Sequence, residues 1–137
     1  MSSTSRSRLL VAILSAASLS IAACGGSSDS PSDVALNFYK ALSKKDTSTA
    51  CSYVGDKAKK QTDSAGGCEK ALDQTVAKTK PALLAAFGSL EASNEKISGD
   101  TATVTLTPTA RGYTSGKEEA HLVKENGAWK IENFNAG

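Results

Sequence analysis

The sequence predicts one small α+β domain, in which helices come first along the chain and an antiparallel sheet of about four strands follows. Up to Gly88, apolar residues recur with the spacing of helix faces. Beyond Gly88, apolar and polar residues alternate as they do in strands. The whole chain has 137 residues, which allows a single modest hydrophobic core.

The first 23 residues have the pattern of a secretory signal peptide. Arg6 and Arg8 lie in a polar start, and a mostly apolar run follows over residues 9–23. This run is shorter than the roughly 20 apolar residues that a membrane-spanning helix needs. We therefore expect residues 1–23 to be a cleaved leader. An uncleaved anchor and a conventional secretory leader are the alternatives.

The end of the apolar run resembles the lipobox of bacterial lipoproteins, in which an aliphatic residue and two small residues precede a cysteine. The matching residues are Ile21, Ala22, Ala23 and Cys24. The resemblance implies cleavage before Cys24 and a lipid on its sulfur, so that the protein is attached to a membrane on its extracytoplasmic side. Residues 24–30 are then the lipidated cysteine and a flexible polar linker, and residues 31–137 are the domain.

The other two cysteines, Cys51 and Cys68, form an even pair once Cys24 is assigned to lipid. In an oxidising compartment such a pair predicts a disulfide, and its loop length corresponds to about 3 kcal/mol in the chain-entropy model. A redox pair and free thiols are the alternatives. A metal site would need further ligands, and the only histidine, His121, is far along the chain. We expect neither a metal nor a cofactor.

The helical half begins at Ser30, which can cap a helix that has Pro31 in its first position and ends near residue 44. Asp46 can cap a short second helix that carries Cys51 and extends through Tyr53. Pro81 permits a kink or a new start. The other expected segments are a helical turn or a loop over residues 56–63, a third helix over 68–80 and a last helical segment over 82–87.

The strand half contains two strong patterns. Ala102, Val104 and Leu106 alternate with threonines, which predicts one buried and one wet face. Asn126-Gly127 is a hairpin signal, because both residues accept positive φ angles. The expected strands cover residues 90–97, 101–109, 118–125 and 128–134.

Three short segments resemble the NTF2-like (cystatin-like, SnoaL-like) superfamily, specifically small secreted lipoproteins of actinobacterial type. They are residues 35–42 with Asp46, residues 99–104 and residues 127–131. The resemblance covers about residues 31–135. It implies helices wrapped on a strongly curved antiparallel sheet, whose concave face holds a ligand in some members and is filled in others.

Charge excludes nucleic acid as a partner. The whole chain has 16 basic and 14 acidic side chains, and two of the basic ones are the leader arginines. The domain has neither the basic excess nor the aromatic platforms that nucleic-acid binding uses. Lysine clusters at 44–45 and 57–60 are weak candidates for contact with anionic lipid, and a solvated helix face is the favoured alternative.

Catalytic residues are not predicted. The resemblance implies that enzymatic relatives use a pocket aspartate with a tyrosine or histidine, but every aspartate here falls in a linker, a predicted helix or a turn. His121 lies on the more polar side of its predicted strand. Tyr39 and Tyr53 are expected to be packing residues, and Tyr113 a loop residue. Neither a G-x-S-x-G elbow nor a glycine-rich phosphate loop occurs.

The leading functional hypothesis is therefore a noncatalytic, membrane-anchored module that meets an envelope protein or ligand. The first alternative is a carrier that binds a small apolar ligand on the concave face of the sheet. The second is an isomerase or cyclase with His121 or a glutamate as base. The residues of the carrier's pocket would be Phe38, Val104, Leu106, Trp129 and Ile131.

Overall fold

The computed structural model describes residues 29–111 and 116–133. Within these ranges the helices precede the strands, which confirms the predicted α+β class. The predicted leader, Cys24 and most of the linker lie outside the described residues. The helices are α1 Pro31–Ser43, α2 Thr47–Ser52, α3 Asp56–Gln61, a short 3-10 helix Asp63–Ala65, α4 Cys68–Lys78 and α5 Pro81–Phe87. The strands are β1 Leu90–Ser98, β2 Thr101–Pro108, β3 Glu118–Glu125 and β4 Ala128–Asn133.

The starts of α1, α2 and α4 are those that the sequence predicts. Ser30 and Asp33 form a reciprocal capping box at the start of α1. The side chain of Asp46 accepts a hydrogen bond from the backbone of Thr49 and caps α2. Helix α4 ends two residues earlier than predicted, because Lys80 precedes a proline and adopts an extended conformation before α5 begins at Pro81.

The four strands lie in one antiparallel sheet in the order of the chain, β1-β2-β3-β4. Asn126 and Gly127 connect β3 to β4, and both have positive φ angles, as predicted for this turn. In β1, Asn94 and Glu95 both lie opposite Val104, because the register shifts between Ser93 and Lys96. Such a bulge bends a strand and increases its twist, which curves the sheet around the helices.

The core lies between the sheet and α1. The helix contributes one buried face, with Phe38 and Leu42 at its centre. The predicted alternation in β2 is confirmed, since Ala102, Val104 and Leu106 are buried and the threonines between them are half-exposed. We call the helix-covered side of the sheet the inner face and the other side the outer face. No helix among the described residues is both long and apolar enough to cross a membrane.

Candidate functional site

The inner face brings together the five residues that the sequence proposes as a pocket. Phe38, Val104, Leu106 and Ile131 belong to one core cluster, and Trp129 packs against its margin. Their exposed fractions are 1%, 0%, 0% and 2% for the first four. The ammonium group of Lys124 lies 5.6 Å from the centre of the Trp129 ring, which is a cation–π contact. The burial of the first four side chains favours a packing role for them over contact with a ligand.

A polar pair interrupts this apolar layer at the loop end of the sheet. Tyr39 is only 8% exposed, and its hydroxyl donates a hydrogen bond of 2.9 Å to Oε1 of Glu118. The Tyr39 ring also packs edge-on against Phe38 and Phe87. Burial raises the pKa of Tyr39 far above its ordinary value, and the charge and hydrogen bond of Glu118 raise it further. Tyr39 therefore remains a neutral donor at physiological pH.

Glu118 is a polar side chain of the inner face that the sequence pattern did not single out. It is the first residue of β3 and pairs with Leu106, so it belongs to the inner face together with Ala120 and Leu122. Its side chain reaches solvent at the rim, and Tyr39 holds one of its carboxylate oxygens. The sequence did contain a signal for it. Successive side chains of a strand point to opposite faces, so Glu118 lies on the same face of β3 as the apolar Ala120. The arrangement is an oriented carboxylate that can accept a hydrogen bond or a proton.

The predicted disulfide is confirmed. Cys51 in α2 is bonded to Cys68, the first residue of α4, with their Cα atoms 6.0 Å apart. The hydroxyl of Thr47 also donates a hydrogen bond of 2.7 Å to Asp73, which connects the same two helices. The helical layer is therefore joined covalently and by a partly buried hydrogen bond.

The remaining candidates do not converge on the inner face. His121 is exposed on the outer face, where it pairs with Thr103. Tyr53 is half-buried at the C-cap of α2, and Tyr113 lies outside the described residues. In residues 29–111 and 116–133, no group of three or more histidine, cysteine or acidic side chains is placed to hold a metal ion.

Comparison with solved structures finds a match that covers most of the chain. The match is a crystal structure of a Campylobacter jejuni protein provisionally named an NTF2-like transpeptidase, with a TM-score of 0.58 and 20% sequence identity. It covers 77% of this chain and 100% of that protein's chain. The chain has an NTF2-like fold. At this identity the similarity extends to the fold and not to the activity. No protein-family model matches the chain, and no curated protein matches it.

The NTF2-like fold leaves the outer face of the sheet accessible. Thr103, Thr105 and Thr107 are half-exposed along β2, and Glu119 and His121 are exposed beside them on β3. Pairing aligns these side chains in rows across the strands. One row is Ser93, Thr105 and Glu119, and the next is Lys96, Thr103, His121 and Asn133. This surface is polar, and β-branched threonines give it little rotamer freedom to lose on binding.

Clefts also open elsewhere in the part of the NTF2-like fold that the structure describes. One of about 540 Å³ lies beside the disulfide and includes Ser48, Lys59 and Glu69 in its lining. Another, of about 590 Å³, lies where α4 and α5 approach the end of α1, with Val76 and Leu84 in its lining. Both are in the helical layer, so neither opens onto the inner face of the sheet.

Proposed function

We propose that the chain is a lipid-anchored, extracytoplasmic interaction module without catalytic activity, which binds an envelope protein through the outer face of its sheet. The difference between the two faces carries this proposal. On the inner face, Ala102, Val104 and Leu106 of β2 are at most 3% exposed. On the outer face, the threonines of β2 and the polar side chains of β3 remain accessible to a partner.

The distribution of ionisable groups supports a noncatalytic role. An NTF2-like enzyme of the isomerase or cyclase kind needs its acid or base to face the bound substrate. Here His121 and Glu119 lie on the outer face, whereas Tyr39 and Glu118 lie on the inner side. The sheet itself separates the outer pair, His121 and Glu119, from the inner pair, Tyr39 and Glu118. The carrier alternative is less favoured, because a ligand on the inner face would have to displace Phe38 or Leu106 from the core.

The disulfide supports the extracytoplasmic location. Disulfides persist in oxidising compartments and are rare in the cytosol. Cys51 and Cys68 are bonded, which leaves Cys24 free for the lipid that the lipobox resemblance implies. Two acyl chains on such a residue give stable membrane attachment, because each buried methylene contributes about 0.8 kcal/mol.

Intact-mass spectrometry of protein purified from the cell envelope tests the anchor and the disulfide together. The expected mass is that of residues 24–137 plus acyl chains, less two hydrogens. A mass that retains residues 1–23 without lipid would disprove the anchor. An apolar small molecule released in stoichiometric amount from the same sample would favour the carrier.

Site-specific photocrosslinking in cells tests the outer face. A photoreactive amino acid at Thr105 should give one adduct of defined mass, and the same probe at Glu69 in α4 should not. Both positions are solvent-accessible, so the pair separates binding at the face from random collision. Equal adducts from both positions, or none from Thr105, would contradict binding through the sheet.

A further inference from the structure

The point where the linker enters the domain is fixed against β1. In the first turn of α1, Ser32 donates two hydrogen bonds to one carboxylate oxygen of Glu95, a backbone bond of 2.9 Å and a second bond from its hydroxyl. Glu95 lies in the bulge of β1. Ser30, the last linker residue, is held by the capping box with Asp33. The segment that leads to Cys24 therefore leaves the domain beside this bulge.

Ile97 lies two residues beyond Glu95 and is unusually exposed for its position. Pairing places it in an inner-face row with Ala102, Leu122 and Ile131. These three neighbours are buried, whereas Ile97 is 55% exposed and is the one exposed large apolar side chain in the described part of the chain. The members of this row on β2, β3 and β4 are thus covered by the helices, whereas its member on β1, Ile97, is not.

We propose that this end of the domain faces the bilayer and that the Ile97 side chain docks into the lipid surface. The inference rests on the proposed lipid anchor. Six linker residues separate Cys24 from Pro31, and a flexible segment of that length spans only about 12–15 Å on average. Two strand residues add about 7 Å between Glu95 and Ile97. The tether therefore holds Ile97 within reach of the membrane to which Cys24 is attached.

The charges around Ile97 indicate whether docking depends on anionic lipid. Asp33 and Glu95 already accept hydrogen bonds from Ser30 and Ser32, respectively. The acidic side chains of this end outnumber the basic ones, so anionic lipid does not attract it and docking relies on apolar contact. The basic surface of α3 is a different candidate for membrane contact and would need anionic lipid. The charged residues of the first turn of α1, of the end of β1 and of the turn after it are Asp33, Glu95, Lys96 and Asp100, and the backbone N–H of Lys124 bonds to the carbonyl of Asp100.

Depth-dependent quenching on the acylated full-length protein tests the proposal. An environment-sensitive probe is attached to Ser98→Cys and the protein is reconstituted in phosphatidylcholine vesicles that contain spin-labelled lipid. We expect strong quenching at position 98. The matched control is a probe at Glu91→Cys on the same strand, about 20 Å away, which should be quenched little. Ile97→Asn should lower the docked-to-undocked ratio at position 98 about five-fold, as expected from burying half of an isoleucine.

The outcomes separate the anchor from the orientation. Failure of the acylated protein to float with the vesicles would overturn the anchor and the docking together. Flotation with equal quenching at positions 98 and 91, or with no effect of Ile97→Asn, would overturn the docking and leave the anchor intact. A probe at Lys60→Cys in α3 that is quenched more than the probe at position 98 on phosphatidylglycerol vesicles would assign membrane contact to the basic helix instead and overturn the proposal.

Discussion

The Tyr39 hydroxyl reaches from the middle of α1 to the first residue of β3, where it donates a hydrogen bond of 2.9 Å to the Glu118 carboxylate. The two residues are 79 positions apart in the chain. The bond joins the first helix to the sheet at the point where the β2–β3 connection returns. Tyr39 is buried and Glu118 reaches solvent. Removing the donor should therefore change the free energy of unfolding by a different amount from removing the acceptor.

Tyr39→Phe should lower the free energy of unfolding by about 0.5–1.5 kcal/mol, because it removes one hydrogen bond and leaves Glu118 free to turn to water. Glu118→Leu should cost more, since it leaves the buried hydroxyl of Tyr39 without an acceptor. Urea unfolding of both variants checks the order. Glu118→Gln is the control, because its amide oxygen still accepts. A larger loss in Tyr39→Phe than in Glu118→Leu would contradict the assigned donor and acceptor.

The raised pKa of Tyr39 predicts a loss of stability in alkali. The ordinary value is 10.0, and the folded protein keeps the hydroxyl protonated above it. The contribution of Tyr39 is therefore complete below pH 10 and decreases as pH rises above 10, where the unfolded state releases this proton and the folded state does not. Urea midpoints measured on both sides of pH 10 should fall more in the wild type than in Tyr39→Phe. Parallel curves for the two proteins would show that Tyr39 does not contribute.

Reduction of the disulfide should cost about 3 kcal/mol of stability, as the chain-entropy model gives for a loop of this size. The bonded cysteines are separated by 17 positions and connect α2 to α4. Thermal unfolding of the oxidised and reduced forms measures the loss. The Cys51→Ser, Cys68→Ser double variant should match the reduced protein and should not respond to reductant. Equal stability of the oxidised and reduced forms would rule out a structural role for the bond.

The two faces of β2 should respond differently to truncation. Leu106→Ala removes a fully buried side chain and should cost about 2–5 kcal/mol, whereas Thr105→Ala on the outer face should cost no more than about 1 kcal/mol. Denaturant unfolding of both variants is the measurement. If the inner face were an open pocket, Leu106→Ala would be tolerated nearly as well as Thr105→Ala. The same pair therefore distinguishes the filled sheet from the carrier alternative.

Glu125 should stabilise α3 from a distance of 69 residues. Both of its carboxylate oxygens accept a hydrogen bond of 3.1 Å from the backbone N–H of Asp56, at a helix start where Gly55 offers no side-chain cap. Glu125→Ala should cost about 0.5–2 kcal/mol, as loss of a cap does. The measurement is amide hydrogen exchange, which should be faster in α3 of Glu125→Ala than in α3 of the wild type. Glu132→Ala is the control, because its surface pair with Lys57 is worth little.

The elements of this fold are predictable because their signals are local. Ser30 and Asp46 satisfy the first amides of the helices that follow them. The period of two in β2 and the Asn126-Gly127 turn define a strand and a hairpin within a few residues. The sequence does not decide whether residues 56–63 form a helical turn or a loop. Gly55 gives α3 no side-chain cap, and the side chain that does cap this helix, Glu125, is far along the chain.

The sequence by itself therefore determined the class, the element order and the cysteine pair, because these depend on composition or on neighbours in the chain. The lipid site stays a prediction of the same local kind. Tertiary structure alone decided that Glu118 accepts from Tyr39, that Glu125 caps α3 and that Glu95 fixes the start of α1. Each of these contacts joins residues more than 60 positions apart. They depend on the curvature and bulges of the sheet, which set the distance between helix and strand and which local patterns do not encode.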